Sequence, residues 1–350
     1  MDHATSSALQ PVGFTVVIPT YNSGRLVLET IESVVCQSRP ADQIIVVDDG
    51  STDDTAARIG EQFPQVTLVT TANRGRSAAR NLGLARATQR WVCFLDHDDL
   101  WHRDKLAHTE RYLAEHPVCR ALRHPVWWFS ATPDATALFG MAIDFVAANL
   151  DDCHRAAELQ PDLVNDFAYL ETQGRDVELM FERCLGITSA TVIDRQLAIQ
   201  AGGFPVYASG GEDWMFFLQV ARFDEWHTLA EPLGFARFHA GQGTENRADA
   251  KGVLAVKVAA WFGGRPFPER RDLATIRRDL AGYGPSYAEE IHQHLKAALR
   301  ARDLRAAGTI ARLGALLLPK WRDRPRALLP ARLRPGLPKG ARHKVRPTSR

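Results

Sequence analysis

In QIIVVDDGSTDDT, residues 43–55, a short apolar run ends in carboxylates and a helical pattern follows. Ser51 or Thr52 is the expected N-cap of that helix. The same order recurs in FTVVI (14–18) before a helical pattern over 24–37, in VTLVT (66–70) before RSAARNLGLARA (76–87), and in a fourth strand, WVCFLDHDD (91–99). Strands that alternate with helices predict an α/β fold, Rossmann-like, with a mostly parallel sheet flanked by helices.

Polar residues end three of these predicted strands. Ligands of parallel α/β sheets bind beyond the carboxyl ends of the strands, so residues that follow the strands share one edge of the sheet. The sequence therefore predicts the functional site at that edge. The residues there are Thr20, Tyr21 and Asn22 after the first strand, Asp48 and Asp49 after the second, and DHDD at 96–99 after the fourth.

The rest of the chain is less regular. We expect a domain over 1–250, a helical extension over 251–318, and a disordered tail over 319–350, where six prolines accompany many arginines. Within the second half of the domain the patterns predict helices near 138–150 and 162–184, a strand and short helix over 188–204, a helix over 210–222 and a strand over 233–238.

Charge is distributed unevenly along the chain. The net charge is +2, yet residues 319–350 contain eleven Lys or Arg and one acid, so the remaining residues carry 32 basic and 40 acidic groups. An acidic body with a basic tail is therefore predicted. Hydrophobic residues at 45% and charged residues at 24% are typical of a globular protein and exclude a fibrous or wholly disordered chain.

Several features predict a cytoplasmic protein. The five cysteines are scattered without a CxxC pair, which is typical of reduced thiols rather than of a disulfide framework or a zinc site. MDHATSSALQPVGF at 1–14 lacks the basic region and apolar run of a signal peptide. We find no run of the roughly 18 apolar residues that a membrane-spanning helix needs.

The DHDD turn is the candidate metal site. Asp96 and Asp98, two residues apart at a strand end, can face one divalent cation, and Mg²⁺ or Mn²⁺ prefers oxygen ligands. His239, in a Gly-rich loop, could complete the metal shell or be structural. The alternative for the turn is a solvated acidic cap of the next helix, which the apolar Phe94 and Leu95 before it disfavour.

Other residues bring further chemistry to the same region. Arg74 and Arg80 flank the start of a helix, where guanidinium groups and backbone amides favour a phosphate, although basic helix starts are common. Either Glu212 or Asp213 could act as a general base, or both could be acids placed favourably at a helix N-terminus. The aromatic cluster 127–129 could stack on a sugar ring or lie in the core.

Taken together, these motifs resemble family 2 glycosyltransferases with the GT-A fold, a group of mostly inverting enzymes. The resemblance is carried, in this order, by VVIPTYNSG, IIVVDDGSTDDT, NRGRSAARNLGL, FLDHDD, AGGF and GGEDW. It implies that a nucleotide binds in the half from about 14 to 120, that an acceptor binds in the half from about 121 to 250, that Asp96 and Asp98 form the metal-binding DxD motif, and that Asp213 is the catalytic base.

The predicted activity is transfer of a sugar from a nucleotide-sugar donor to an acceptor hydroxyl, with Mn²⁺ or Mg²⁺, in cell-surface polysaccharide or glycolipid synthesis. The alternative is a non-catalytic nucleotide-sugar-binding protein of the same fold. Dinucleotide-dependent dehydrogenases are disfavoured because the first turn lacks GxGxxG. Glu212 and Trp214 are the expected acceptor contacts, and the expected donor contacts are Pro19, Thr20, Tyr21, Asn22, Asp48, Asp49, Arg74, Arg80, Asp96 and His97.

The basic tail has two interpretations. Eleven basic residues with interspersed leucines could attach the protein peripherally to the anionic inner face of the plasma membrane, where a lipid-linked acceptor would lie. The alternative is a disordered, solubilising or nonspecifically nucleic-acid-binding end. No specific nucleic-acid partner is predicted.

Overall fold

The computed structural model describes residues 12–131, 145–159, 184–206 and 211–239, together with Asp176, two residues at 179–180 and isolated positions between 295 and 311. Most of the predicted helix over 162–184 lies outside the described residues. The predicted extension over 251–318 does too, apart from those isolated positions, as does the tail over 319–350.

Strands and helices alternate as predicted in the first part of the chain. The strands are β1 (Phe14–Thr20), β2 (Gln43–Asp48), β3 (Thr67–Thr70), β4 (Trp91–Phe94), β5 (Leu100–Trp101), β6 (Ala121–Arg123), β7 (Trp127–Ser130), β8 (Phe145–Val146), β9 (Thr191–Asp194), β10 (Trp226–Thr228) and β11 (Gly234–Phe238). The α-helices are α1 (Arg25–Val35), α2 (Thr55–Gln62), α3 (Arg76–Arg86), α4 (Lys105–Glu115), α5 (Leu150–Leu159), α6 (Arg195–Gln200) and α7 (Glu212–Ala221), with a 3₁₀ helix at Thr188–Ala190.

A seven-stranded sheet in the order β10-β6-β9-β4-β1-β2-β3 forms the centre. The four strands β4-β1-β2-β3 are mutually parallel, and β9 runs antiparallel to β4 and β6. Thr20 pairs with Asp48, and Asp48 pairs with Thr70, so the polar ends of β1 and β2 are level. The predicted mostly parallel α/β sheet is confirmed.

Apolar spacing explains how the helices cover this sheet. In α1 the buried side chains Val27, Leu28, Ile31 and Val34 repeat at helical intervals and share a core cluster with β1 and β4. Each such side chain stabilises the fold by roughly 1.5–3 kcal/mol relative to exposure. On the other face of the sheet α7 buries Met215, Phe216 and Phe217, with Phe216 against Phe204 at 4.2 Å between ring centroids.

A second sheet, in the order β5-β11-β7-β8, holds the aromatic cluster 127–129. Trp127 and Phe129 are buried and pack with Phe235, which agrees with the core interpretation rather than sugar stacking. The helix predicted near 138–150 is wrong at its end, where 145–146 is strand β8 and α5 starts at Leu150. Phe145 pairs with Phe129 and stacks on it, so cross-strand contact prevails over local periodicity.

The predicted cap of α2 is also corrected. The helix starts at Thr55, later than expected, and follows Asp54 as its N-cap. Ser51 and Thr52 instead contact Asn22. The Ser51 hydroxyl accepts from the Asn22 backbone amide and the Thr52 backbone amide donates to Asn22 Oδ1, which joins the loops after β1 and β2. Over the described part of the chain, every helix falls short of the length and apolar character needed to cross a membrane.

Candidate active site

The last residue of β2 presents a buried carboxylate at the predicted edge. Asp48 is 1% exposed, and its Oδ1 accepts hydrogen bonds from the amide and the hydroxyl of Ser51. Its Oδ2 is buried and accepts no hydrogen bond from the described residues. A buried carboxylate oxygen without a donor is costly, so this atom is suited to a donor on a bound ligand.

The loop after β1 is joined to the loop after β2 by Asn22. The backbone amide of Asn22 donates to Ser51 Oγ (2.9 Å), and its side-chain Oδ1 accepts from the Thr52 backbone amide (2.8 Å). The φ of Asn22 is 48°, a left-handed conformation that asparagine adopts more readily than most residues. Beside it Tyr21 is 43% exposed, while Pro19 and Thr20 are buried in β1. Tyr21 is therefore available to stack on a ligand at this edge.

Asp49 has a different role from Asp48. Its Oδ1 accepts from the Arg74 amide (2.9 Å) and its Oδ2 from the Gly75 amide (2.7 Å), which are the two residues before α3. The carboxylate therefore shapes the loop that leads into α3. Its predicted contact with a nucleotide stays a prediction, and the Arg74 side chain lies on the exposed side of the same loop.

Hydrogen bonds hold the DHDD turn at both ends. The Asp96 amide donates to Ser189 Oγ (3.1 Å), and Asp99, 6% exposed, accepts from Ser189 Oγ (2.5 Å) and from the Arg237 amide (3.0 Å). Between them Asp98 Oδ2 lies 3.1 Å from His239 Nε2, at the end of β11. The backbone carbonyl of His97 accepts a hydrogen bond from the Thr30 hydroxyl of α1 (2.8 Å).

Arg80 joins the acidic turn to the start of α7. Its guanidinium is buried over the Phe204 ring, and it donates to Asp96 Oδ1 (2.6 Å) and Glu212 Oε1 (3.0 Å). The more exposed Arg76 contacts the same Glu212 oxygen at 2.5 Å. Burial lowers the pKa of Arg80, but the charges of Asp96 and Glu212 outweigh it and raise the pKa, so Arg80 stays charged.

Asp213 follows Glu212 at the first turn of α7 and has a different ionisation. Burial first, and the charge of Glu212 second, raise the pKa of Asp213 to about 6, against the opposing charges of Arg80 and Arg76. For Glu212, burial is outweighed by the two arginines, which lower its pKa. Neighbouring carboxylates with separated pKa values are typical of a general base beside a structural anion. Trp214 is buried, and its indole donates to the Met180 carbonyl (2.5 Å).

Two side chains beside the DHDD turn could hold a divalent cation, with water or substrate phosphates in its remaining positions. Within the described ranges no three acidic, histidine or cysteine side chains lie close enough together to hold a metal ion. Asp98 and His239 do place oxygen and nitrogen donors 3.1 Å apart. Burial tends to raise the pKa of Asp98, but the hydrogen bond from His239 and the charges of His97 and His239 together lower it, which keeps a carboxylate available. Mg²⁺ commonly fills its remaining positions with water and substrate phosphates.

Sequence reasoning missed several residues that build the site. Ser189 contacts both ends of the acidic turn, although it lies 90 residues beyond Asp99 in the chain. Arg237 is 4% exposed; its Nε donates to the Asp98 carbonyl (2.9 Å), and it pairs with Glu29 of α1 at 2.8 Å. An arginine inside an otherwise apolar strand, β11, is the one signal that the sequence carried for any of them.

Comparisons with known proteins agree with this geometry. Residues 15–124 match the model of the family described as glycosyl transferase family 2. An uncharacterised glycosyltransferase of Nostoc sp. is 27% identical over 70% of this chain and 71% of its own length. The amylovoran biosynthesis glycosyltransferase AmsB of Erwinia amylovora is 37% identical over 28% of this chain and 35% of its own length.

Most of the matching relatives are longer than the shared segment. An uncharacterised glycosyltransferase of Rickettsia felis is 37% identical over 103 residues, which make up 29% of this chain and 17% of that protein. The chain thus spans less than a fifth of that relative. The family match over residues 15–124 contains β1 from Thr15, β2 to β4 and the DHDD turn.

Two solved structures share the fold. S. aureus TarS residues 1–349, in complex with UDP-GlcNAc, has a TM-score of 0.57 at 16% identity and covers 85% of this chain and 90% of that one. The mannosyltransferase PcManGT of Pyrobaculum calidifontis, with GDP-Man and Mn²⁺, has a TM-score of 0.50 at 22% identity. The match covers 89% of this chain and 82% of that one. At these identities the likeness shows the fold alone. Over residues 15–124 the chain is therefore similar to glycosyl transferase family 2, and it has a GT-A-type fold.

Proposed function

We propose that this protein is a metal-dependent glycosyltransferase that moves a sugar from a nucleotide donor to an acceptor hydroxyl, with inversion at the anomeric carbon. The observation that carries the proposal is the bridge from Arg80 to Asp96 and Glu212. It holds the candidate metal turn and the candidate general base against each other, although they come from elements more than a hundred residues apart. Transfer needs those two functions side by side.

The donor would lie along the carboxyl edge of β1, β2 and β4. Asp48 Oδ2, at the end of β2, is the free buried acceptor suited to a nucleobase N–H, and Tyr21 is exposed beside it. Asp98 and His239 would hold the cation, which neutralises charge on the diphosphate when bound. The sugar would then lie between the DHDD turn and the start of α7.

Asp213 is the general base that accepts the proton of the acceptor hydroxyl. The acceptor oxygen attacks the anomeric carbon as the bond from that carbon to the diphosphate oxygen breaks, and the acceptor proton passes to the Asp213 carboxylate. The products are the inverted glycoside and a nucleoside diphosphate. Burial and the charge of Glu212 raise the pKa of Asp213 to about 6, against the opposing charge of Arg80, so Asp213 can accept a proton near neutral pH.

The neighbours support the donor and metal classes. TarS was captured with UDP-GlcNAc and PcManGT with GDP-Man and Mn²⁺, and AmsB is named for the synthesis of a polysaccharide. These names support a nucleotide-sugar donor, a divalent cation and a saccharide or lipid-linked acceptor in polysaccharide synthesis. The residues around Tyr21, Asp48 and the DHDD turn would select the sugar and the base.

A thermal-unfolding screen tests the proposal. Nucleotide sugars that carry UDP, GDP, dTDP or CMP are added with and without Mn²⁺, and donor hydrolysis is then measured for each ligand that binds. A ligand at 100 times its Kd should stabilise the folded protein by about 2.7 kcal/mol. We expect one nucleotide class to raise the Tm, and Mn²⁺ to enlarge that rise.

Two variants separate site binding from nonspecific binding. Asp98→Asn should lose the part of the shift that depends on Mn²⁺, whereas Asp151→Asn, at an exposed acid on α5, should keep it. Binding of a donor without hydrolysis or transfer would instead favour a non-catalytic binding protein. If every donor leaves the Tm unchanged with and without Mn²⁺, the proposed function is wrong.

A further inference from the structure

Ser189 lies behind the DHDD turn, in the 3₁₀ helix before β9, and is 2% exposed. Its hydroxyl uses both of its hydrogen-bonding capacities on that turn. It accepts from the Asp96 amide at 3.1 Å and donates to Asp99 Oδ2 at 2.5 Å. One side chain thus fixes the two ends of a four-residue segment whose middle carries Asp98.

The backbone of Ser189 is fixed from the opposite side. Its carbonyl accepts from the Trp101 indole at 2.8 Å and from Lys105 Nζ at 3.0 Å, and both of these side chains are fully buried. Lys105 Nζ also lies 2.7 Å from His124 Nε2. A serine whose carbonyl is held by two buried donors has little freedom to follow a displaced turn, so the turn must follow the serine.

We propose that Ser189 is a positioning residue that sets the cation affinity of the DHDD turn without touching donor, acceptor or metal. The inference rests on the proposed function, because it concerns the cation that this function requires. By holding the Asp96 amide and the Asp99 carboxylate, Ser189 fixes the direction in which Asp98 faces His239.

Loss of the hydroxyl should act on the turn rather than on the core. Ser189→Ala leaves the Asp96 amide without an acceptor and leaves Asp99 Oδ2 without this donor, while Asp99 Oδ1 keeps the Arg237 amide. The turn would then sample orientations in which Asp98 and His239 no longer converge. Removal of groups that orient metal ligands typically weakens metal affinity by about 10- to 100-fold.

The test uses the full chain, Mn²⁺ as the probe and a matched control. Thr191→Val removes a buried hydroxyl two residues away, one that donates to the Thr188 carbonyl and does not reach the DHDD turn. Mn²⁺ binding is titrated by the electron paramagnetic resonance signal of the free ion. Hydrogen exchange of a peptide over 95–101 reports protection of the DHDD turn without any metal.

We expect Ser189→Ala to weaken Mn²⁺ binding roughly tenfold and to speed exchange in 95–101, while Thr191→Val leaves both unchanged. If the alanine variant does not fold, Ser189→Cys, of similar volume and with weaker hydrogen bonds, replaces it. Mn²⁺ affinity equal to that of the parent protein would overturn the inference. Absence of Mn²⁺ binding by the parent protein would overturn it together with the metal requirement, while the nucleotide screen without Mn²⁺ still tests donor binding.

Discussion

The site contains two pairs of neighbouring carboxylates, and within each pair the two residues have different ion-pair and hydrogen-bond partners. Glu212 lies between Arg76 and Arg80, whereas Asp213 accepts only the Trp214 amide (2.8 Å) among the described contacts. The same contrast separates Asp48 from Asp49, whose two oxygens accept backbone amides. In each pair one carboxylate builds the site and the other is available for chemistry or binding.

Replacement of the candidate base tests this division. Asp213→Asn keeps the shape of the side chain but removes the proton acceptor, so kcat should fall by roughly 10² to 10⁴. Measurement of kcat and of the donor-induced Tm rise separates catalysis from binding, and we expect the Tm rise to persist. Undiminished turnover would assign the base to another residue.

The ionisation of Asp213 predicts a pH dependence. A general base must be ionised, and its pKa is raised to about 6, so kcat/KM should fall about tenfold per pH unit below pH 6 and level off above it. The profile is measured from pH 4.5 to 8 with Tm followed in parallel, so that unfolding is not taken for titration. A flat profile through pH 6 would contradict the assignment.

The two arginines that contact Glu212 should differ in their effect on stability. The Arg80 side chain is 3% exposed and that of Arg76 is 51% exposed. Arg80→Met leaves two carboxylates without a buried partner and should lower the free energy of unfolding by about 3–5 kcal/mol. Arg76→Met should lower it by at most about 1 kcal/mol. Urea unfolding measures both, and equal effects would show that the bridge is not the buried contact described here.

The close approach of α3 to the sheet matters at the element scale. A Cβ at Gly83 would lie 2.2 Å from Val17 Cγ1 in β1, so glycine lets the helix lie directly on the strand. This contact brings the start of α3, with Arg76 and Arg80, to the edge where the DHDD turn lies. The position of the arginine bridge therefore depends on a residue that carries no side chain.

A pair of glycine substitutions tests the packing of α3. Gly83→Ala should destabilise the fold by about 1–3 kcal/mol, because the added methyl forces α3 and β1 apart. Gly60→Ala in α2 meets nothing within 4 Å and should stabilise by about 0.5–1 kcal/mol through helix propensity. Chemical denaturation of both variants measures the difference, and similar values for the two would contradict the close approach.

Much of the element order could be predicted, and the reasons for the failures are specific. Strands β1 and β2 have short β-branched runs and α1 has a clear apolar stripe, so local pattern and tertiary burial agree. The pattern misplaced 145–146 because a two-residue strand depends on its partner Phe129 rather than on its own sequence. The roles of Ser51 and Thr52 were missed because their partner, Asn22, lies about thirty residues away.

Charge asymmetry belongs to the scale of the whole molecule. The tail over 319–350 carries eleven basic residues, and we propose that it attaches the protein to an anionic membrane surface. Each basic residue near such a surface contributes about 1 kcal/mol, and salt screens that attraction. The full chain should float with phosphatidylserine vesicles at 0.1 M salt and be released at about 1 M, where the Debye length falls to roughly 3 Å.

Two controls, neutral vesicles and a chain without the tail, test whether the basic residues cause the membrane binding. Vesicles of phosphatidylcholine alone should bind little, because they lack the negative charge. A chain that ends at residue 318 should lose flotation with the anionic vesicles. Equal flotation of the two chains would assign membrane binding to another surface or exclude it.

Local patterns and short motifs are enough to predict the alternation of strands and helices, the sheet edge where the polar residues gather, and the resemblance to glycosyl transferase family 2. Tertiary structure alone decided which carboxylate is free. Asp49 accepts the Arg74 and Gly75 amides, Glu212 accepts from Arg80, and Asp99 accepts from Ser189. These partners lie 25 to 132 residues away in the chain. The energy of a buried charge depends on the groups that the fold brings to it, and no local pattern contains them.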